Sequence, residues 1–330
     1  EELLNEFPNT NISEQALSII KNIYSEIGKA NQFLELIKNI DHDYSKSELD
    51  SATYYSAELQ YMQSNYESSI TALKSYLSYY PDGLFSLEAN YFLYKSHEQL
   101  GDFESAIASL NKIINDKENK YTIEGLSSLA RMSYQLEKYI SSEKYFNQLL
   151  EFASTIDLKQ EAVLGLLESK FQLYKYNDVI LQIDNLVEED FFSGKDYLRV
   201  RYLNAYSLYK TNQNIKSLKE FDWLMNNSDG DLKAESIFYK GLISYSMNNY
   251  QDSQAAIFLL INELPSYTKW VDKGLLLLAK NYIIQKDMFQ AQHVLTELEK
   301  KSNDPIILNQ IENIMNNNPE LKRDSVNPSE

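Results

Sequence analysis

The segment YFLYKSHEQLGDFESAIASLNKII, residues 91–114, decides the fold of this chain. Apolar residues precede a short polar turn at Leu100–Phe103, and after the turn Ala106, Leu110 and Ile113 follow one another at steps of four and three. That spacing places the three side chains on one face of a helix. The segment therefore predicts two helices joined by a tight turn, each with an apolar face to bury.

The same pattern recurs along the chain. Aligned on the turn, eight two-helix units place the last turn residue at positions 30, 66, 103, 139, 176, 214, 250 and 288, a period of 36 to 38 residues. The predicted turns lie near residues 28, 65, 102, 138, 175, 213, 249 and 287. One helical hairpin cannot bury its apolar face alone, so successive hairpins must stack. We therefore expect an all-α solenoid of about eight hairpins, without a single central core.

Both ends of the chain differ from the repeat. Residues 1–10 look like the end of a preceding repeat or a linker, and the array itself is expected over 11–303. Asp304 followed by Pro305 is typical of a helix N-terminus, which predicts a capping helix over 304–316 that covers the last hairpin. Residues 317–330 are polar and contain two prolines, which predicts a flexible tail.

The amino-acid composition agrees with a fold of long helices, and the net charge reduces the number of expected partner classes. The 330 residues include only 9 Gly and 6 Pro, too few turn-forming residues for a many-stranded sandwich or barrel. Lys and Arg number 31 against 48 Asp and Glu, and the net charge of −17 makes nucleic acid an unexpected partner. That charge has two interpretations, a field that steers a basic partner or a means of keeping a long array soluble. The chain has no cysteine and no apolar run long enough to span a membrane.

Catalytic motifs are incomplete wherever they begin. His97–Glu98 starts like the zinc-protease pattern H-E-x-x-H, but Gly101 stands where the second histidine is needed. Gly194–Lys195 lacks the rest of a phosphate-binding loop, and Gly125–Ser127 lacks the second glycine of a nucleophile elbow. We therefore expect a protein that is not an enzyme and that has no cofactor and no metal site.

The repeat resembles the tetratricopeptide repeat. The resemblance is carried by Leu93, Gly101, Asp102, Phe103, Ala106, Leu110 and Ile113, and further along by Gly241, Pro265, Ala279, Tyr282 and Ala291. In that family a small residue lets the first helix approach the second, and that position is filled here by Ala57, Ala130, Ala205, Gly241 and Ala279. Two units depart from the family pattern, at Ser142 where Ala is usual and at Asn214 where an aromatic residue is usual. The resemblance implies a right-handed α-solenoid that binds a protein or peptide in its concave groove.

The resemblance also implies which residues would contact a partner, since the first helix of each unit lines the groove in this family. The candidates are Tyr54, Glu58, Tyr61, Tyr91, Lys95, Glu98, Arg131, Tyr134, Glu168, Phe171, Tyr202, Tyr206, Tyr209, Phe238 and Tyr245. Tyrosine offers a broad apolar ring with a polar tip, which suits protein binding. A second interpretation is that the aromatic residues near the helix ends only pack one repeat together. Tyr202, Tyr206 and Tyr209 form the best candidate for an exposed aromatic stripe.

Three interpretations of function remain open at this point. The first is a non-catalytic interaction scaffold in a cell-envelope complex, the second is a spacer or assembly module of a larger multidomain protein, and the third is a cytoplasmic regulator or peptide sensor. The segments Tyr79–Gly83 and Trp270–Ala291 are similar to arrays in large tetratricopeptide proteins of Bacteroidota and of Gram-negative envelopes. That similarity implies a periplasmic protein attached to the outer membrane through other proteins, while a cytoplasmic location stays open.

Overall fold

The computed structural model describes residues 4, 6–7, 10–27, 29, 32–33, 35–36, 46–114, 118–186 and 191–322. Within these residues it contains sixteen α-helices and no strand, so the predicted all-α fold is confirmed. The helices are α1 (Asn11–Glu26), α2 (Lys46–Met62), α3 (Tyr66–Tyr79), α4 (Ser86–Gln99), α5 (Phe103–Ile114), α6 (Thr122–Gln135), α7 (Tyr139–Phe152), α8 (Ile156–Gln172), α9 (Tyr176–Asp184), α10 (Gly194–Lys210), α11 (Asn214–Asn227), α12 (Gly230–Ser246), α13 (Tyr250–Glu263), α14 (Thr268–Ile284), α15 (Met288–Lys301) and α16 (Pro305–Asn317).

From α2 onward the helices alternate between the first and the second helix of a hairpin, and three residues separate the two. The middle residue of all seven turns has a φ between +57° and +73°, and these residues are Ser64, Gly101, Glu137, Tyr174, Asn212, Asn248 and Lys286. The next amide then bonds back to a carbonyl five residues earlier, as in the 2.8 Å bond from Lys138 N–H to Ser133 O. This left-handed cap satisfies carbonyls that would be orphaned at the helix end and reverses the chain. The turn predicted near residue 28 lies outside the described residues.

The described helices belong to two compact units, residues 1–169 and 170–330. In the first unit the core is a row of small clusters, each built from one hairpin and the next first helix. Leu73 and Tyr76 of α3, for example, pack between Tyr54 of α2 and Leu93 of α4. Two further clusters of the same kind follow, one around Leu110 and one around Leu149. This arrangement explains why a hairpin of this unit depends on its neighbour for burial.

The second unit is built on the same plan. Ile257 and Leu260 of α13 pack between Ile237 of α12 and Leu277 of α14. In the cluster before this one, Phe221 and Leu224 of α11 pack against the first helices α10 and α12. The last cluster joins α14, α15 and α16. The unit therefore has no shared centre among its described residues, as a stack of hairpins requires.

Buried serines fill the position at which Ser142 departs from the family pattern. Ser69, Ser142 and Ser217 are inaccessible to solvent, and each Oγ donates to the carbonyl oxygen of the small residue twelve positions earlier, namely Ala57, Ala130 and Ala205. The O···O distances are 3.4, 3.0 and 2.7 Å. A small side chain is still needed there, and a hydroxyl fits because it has a carbonyl to bond.

The C-terminal end contains one element that the sequence did not predict. At the start of helix α16 the Asp304 carboxylate accepts the Ile306 N–H at 2.8 Å, and Pro305 lies in the first turn. Residues 319–322, however, form a 3₁₀ turn and not part of a flexible tail. Leu321 is only 2% exposed because it closes the cluster formed by α14, α15 and α16. Residues 323–330 of the predicted tail, and most of residues 1–10, lie outside the described residues.

Candidate binding surface

All the candidate contact residues lie on first helices, but two of them are buried. Tyr54 is 2% exposed, and its ring stacks on Phe85 at a centroid distance of 4.4 Å. Phe238 is 8% exposed and packs against Trp270 at 5.6 Å. The assignment of Tyr54 and Phe238 to a partner-binding face is therefore wrong. In both cases a ring from the following repeat covers the side chain, which the helical pattern of a single repeat does not reveal.

Four of the candidates pack their own hairpin together. Each stands near the end of a first helix and meets the aromatic residue that opens the second helix, five positions later. The pairs are Tyr61 with Tyr66, Tyr134 with Tyr139, Phe171 with Tyr176 and Tyr245 with Tyr250, at centroid distances of 5.8, 5.3, 5.7 and 5.8 Å. Tilted and edge-on ring pairs of this kind add to the stability of the hairpin. These contacts favour the packing interpretation, although each of the four first-helix rings is still half-buried.

The structure brings Tyr91, Lys95 and Glu98 together on α4 and adds Glu124 from α6. Tyr91 Oη lies 3.0 Å from a Glu124 carboxylate oxygen, and Lys95 Nζ lies 2.7 Å from Glu124 and 3.3 Å from Glu98. Burial lowers the pKa of Lys95, but its hydrogen bonds to Glu124 and Tyr94 outweigh that effect and hold the pKa above its usual value. Lys95 is therefore a fixed cation that ties α4 to α6.

A similar tie connects α6 with α8. Arg131 Nε lies 3.5 Å from Glu161, and the Tyr134 hydroxyl donates to Glu168 at 3.3 Å. Sequence reasoning selected Tyr91 and Arg131 but missed their acceptors, Glu124 and Glu161. The sequence did contain a signal for such pairs, because a glutamate follows a first-helix tyrosine after 33 or 34 residues, which is close to one repeat. The three pairs are Tyr91–Glu124, Tyr134–Glu168 and Tyr202–Glu235. Glu58 stays within α2, where it accepts the Tyr54 hydroxyl at 2.9 Å.

In the second unit, Phe171, Tyr176, Tyr202, Tyr206 and Tyr209 form what we call the aromatic surface. Its centre is Tyr206, whose ring centroid lies 5.2 Å from Phe171 and 6.1 Å from both Tyr202 and Tyr209. All five rings are half-buried. Lys210 places its ammonium 5.2 Å from the Tyr206 ring centroid, a cation–π contact. Three residues of the predicted aromatic stripe are thus joined to Phe171, which the sequence also selected, and to Tyr176, which it did not.

A cleft of about 410 Å³ opens beside Tyr202, between α10 and α12. It is lined by Lys195, Leu198, Arg199, Tyr202, Asp231, Leu232 and Glu235. The Tyr202 hydroxyl donates to Glu235 at 2.8 Å, and burial raises the pKa of the Glu235 carboxyl above its usual range. Trp270 Nε1–H donates to Asp231, also at 2.8 Å. Both carboxylates are therefore engaged by aromatic donors of their own unit.

Within residues 46–114, 118–186 and 191–322 and the shorter N-terminal stretches, no group of three or more His, Asp or Glu side chains is placed to hold a metal ion. None of the helices in the same part of the chain combines the length and the apolar character that a membrane crossing requires. The arrangement supplies rings, cations and carboxylates on helix faces, which can contact another polypeptide.

Comparison with known proteins points to one family. Residues 51–83 match the family model of the tetratricopeptide repeat. No curated protein matches the chain in sequence. Among solved structures, the C-terminal part of a TPR repeat-containing protein from Cytophaga hutchinsonii is 9% identical with a TM-score of 0.57, and the alignment covers 78% of this chain and 98% of that chain. A tetratricopeptide repeat protein from Parabacteroides merdae is 17% identical with a TM-score of 0.45, covering 81% and 98%. The match to the Cytophaga structure supports the stacked-hairpin fold.

Proposed function

We propose that this chain, whose residues 51–83 match the tetratricopeptide repeat and whose fold resembles that of a solved repeat protein, is a non-catalytic scaffold that holds a protein segment against its first helices. The observation that carries the proposal is the aromatic surface. Phe171 and Tyr206 come from different hairpins yet lie 5.2 Å apart, and the rings around them keep part of their surface accessible. Rigid aromatic side chains lose little conformational entropy on binding and are common among the residues that dominate binding energy.

The test is capture of partners from the native organism with the intact chain and two variants. Tyr206→Ala and Tyr209→Ala remove rings from the aromatic surface, and we expect each to weaken capture about tenfold because a binding-site aromatic contributes about 1–2 kcal/mol or more. Phe289→Ala is the matched control, since it removes a ring that is 70% exposed on the second helix α15. Equal capture by all variants would remove the aromatic surface from the proposal, whatever partner is found.

A spacer or assembly module is the second candidate, and a specific observation favours it. Tyr91, Lys95 and Arg131 of the first unit are all engaged by glutamates of the next repeat, so these side chains already serve the array itself. A spacer would tolerate Tyr206→Ala without loss of function as long as its fold is intact. Comparing the circular dichroism spectrum and the cellular phenotype of that variant separates the two candidates.

The envelope setting is part of the same proposal and has its own test. We place the protein at the periplasmic side of the outer membrane, held there by protein contacts, on the similarity of its repeat boundaries to envelope proteins. Cell fractionation followed by immunodetection would recover it with the membrane fraction, and a high-salt wash would release it. Recovery in the cytosolic fraction would favour the cytoplasmic regulator instead.

A further inference from the structure

Four isoleucines form an exposed stripe along α1 and the turn that follows it. They are Ile12, Ile19, Ile23 and Ile27, and each is between 49 and 59% exposed. Their spacing of seven, four and four residues places them on one side of a helix. Leu17 lies on the adjacent side of α1, where it is buried in a cluster with Leu4 and Phe33. The apolar surface of α1 is therefore wider than the part that is buried, and we call the four isoleucines the isoleucine face.

The register of α1 is that of the later first helices. The Lys29 N–H bonds to Tyr24 O at 2.9 Å, which is the bond that closes every later hairpin turn. In this register Ile23 stands seven residues before the last turn residue. The residues at the same position of α4, α6, α8, α10, α12 and α14 are at most 3% exposed, and they are Ser96, Met132, Ser169, Ser207, Ile243 and Asn281. The position of Ile23 is thus a buried one in the later hairpins.

In the later hairpins this position meets the second helix of the preceding hairpin. Ser169 of α8 donates to Ser142 Oγ of α7 at 3.0 Å, and Asn281 Nδ2 of α14 donates to Ser253 Oγ of α13 at 2.9 Å. This side of a first helix therefore receives another helix along its length. On α1 the same side carries the exposed isoleucine face, which is an open surface for helix packing.

The charges of α1 allow this surface to meet a second copy of itself. Its charged residues are Glu14, Lys21 and Glu26, and the exposed residues Ser18 and Asn22 near its middle are uncharged. The middle of the isoleucine face therefore brings no like charges of α1 together, although the chain has a net charge of −17. In an antiparallel pair, Glu26 of each copy lies near the N-terminal end of the other α1, where the helix dipole favours a carboxylate.

The last hairpin is covered in a different way. Helix α16 packs on α14 and α15, and Leu321 closes that cluster. The place that the next first helix would take against α15 is therefore filled within the same chain. Two isoleucine faces that meet about a two-fold axis instead cover each other and form a closed dimer.

We propose that two copies of this chain associate through their isoleucine faces, with the α1 helices antiparallel and Ile19, at the middle of the stripe, near the two-fold axis. The inference goes beyond the scaffold function and does not depend on the aromatic surface. A helix of 16 residues is about 24 Å long. One such helix from each copy buries less than the roughly 800 Å² per partner of a standard interface, so the dimer is reversible. We expect a dissociation constant of about 10–100 µM.

Sedimentation equilibrium of the intact chain from about 1 to about 300 µM tests the association, since a dimer of this affinity depends on concentration. The mass should rise from the monomer value of 38.4 kDa towards twice that value. Ile19→Glu/Ile23→Glu should weaken the dimer at least tenfold, because it places four carboxylates in the interface. The control Ile140→Glu/Ile215→Glu makes the same change in net charge at two isoleucines of α7 and α11 that are more exposed, and it should associate as the unmodified chain does.

A second measurement identifies the surface without disturbing its charge. The chain has no cysteine, so Ile19→Cys introduces a single thiol. A short bismaleimide should join two copies of this variant, because the two thiols lie near the same axis. Ile140→Cys is the control, since its exposed thiol lies on α7 and should not be joined.

A monomer at every concentration would overturn the proposal and leave the isoleucine face to another protein segment. Equal weakening by the two double variants, or equal joining of the two cysteine variants, would also overturn it, because association would not depend on α1. Far-UV circular dichroism confirms that each variant is folded. The unmodified chain and the cysteine variants give a result even if Ile19→Glu/Ile23→Glu is unstable.

Discussion

The middle residue of each hairpin turn shows how backbone conformation outweighs residue preference in this chain. In six of the seven described turns the residue at positive φ carries a side chain, as Glu137 and Lys286 do. Only the turn at Gly101 uses glycine, the residue best suited to this conformation. A side chain in this region costs about 1–2 kcal/mol. The Schellman hydrogen bonds and the stacking of the flanking helices hold the turn in place despite that cost.

Replacing such a residue by glycine should therefore stabilise the protein. We expect Glu137→Gly to raise the free energy of unfolding by about 0.5–1 kcal/mol, because the relief of strain exceeds the added entropy of the unfolded chain. Gly101→Ala is the converse control, since a Cβ there would meet no atom within 4 Å and only the backbone conformation would suffer. Thermal unfolding followed by circular dichroism measures both, and a lower midpoint for Glu137→Gly would contradict the argument.

A second residue-scale prediction concerns the buried serine of α7. Ser142 Oγ donates to Ala130 O at 3.0 Å and accepts from Ser169 Oγ, also at 3.0 Å. Ser142→Ala removes both contacts while keeping the small volume, and should cost about 1 kcal/mol of unfolding free energy. The neighbouring Ser141→Ala is the matched control and should change stability by less than about 0.5 kcal/mol. Indistinguishable urea-unfolding midpoints for the two variants would show that the hydroxyl contributes nothing.

At the scale of the helix, His97 of α4 and the turn residue Asp102 make stability depend on pH. His97 Nδ1 lies 3.2 Å from Asp102 Oδ2, and the imidazole is almost fully buried. Burial, aided by Lys74, lowers the pKa of His97 below 6.5 despite the opposing effect of Asp102. Below pH 6.5 the unfolded chain therefore takes up a proton that the folded site resists, so the stability that neutral His97 contributes falls as pH falls.

We expect the midpoint of thermal unfolding to drop between pH 7.5 and 5.5, and the drop to shrink in His97→Gln. The pKa of Asp102 is held below its usual value of 3.8, first by its hydrogen bonds to Ser105, so its contribution is lost only at more acidic pH. The control is His293→Gln, which changes an exposed histidine of α15 and should leave the pH dependence as it is. An unchanged drop in His97→Gln would assign the pH dependence to other groups.

The elements also show what the sequence could and could not predict. Helices and turns were predictable because the apolar residues of α5 recur on one face and a three-residue turn follows each first helix. The burial of Tyr54 was not predictable, because the ring that covers it, Phe85, belongs to the next repeat. Glu124 was missed for the same reason, since its partner Tyr91 lies 33 residues earlier. A repeat pattern predicts the unit, while the contacts between units depend on both sequences at once.

At the scale of the whole molecule, charge is distributed unequally between the two units. Residues 1–169 contain 13 Lys and Arg against 26 Asp and Glu, whereas residues 170–330 contain 18 against 22. Like charges confined to one unit repel one another and destabilise its folded form. Salt screens that repulsion, with a Debye length that falls to about 8 Å at physiological ionic strength. The first unit therefore has more stability to gain from salt than the second.

Hydrogen exchange on the intact chain measures that difference directly. Raising sodium chloride from about 20 mM to about 200 mM should increase amide protection in α4 to α7 more than in α12 to α15, because the Debye length shortens roughly threefold over that range. Potassium chloride should act in the same way if screening is the cause. Equal gains in the two units would show instead that salt acts through apolar burial, which the two units share. The comparison needs no partner, so its outcome bears on the scaffold itself and is independent of what the scaffold binds.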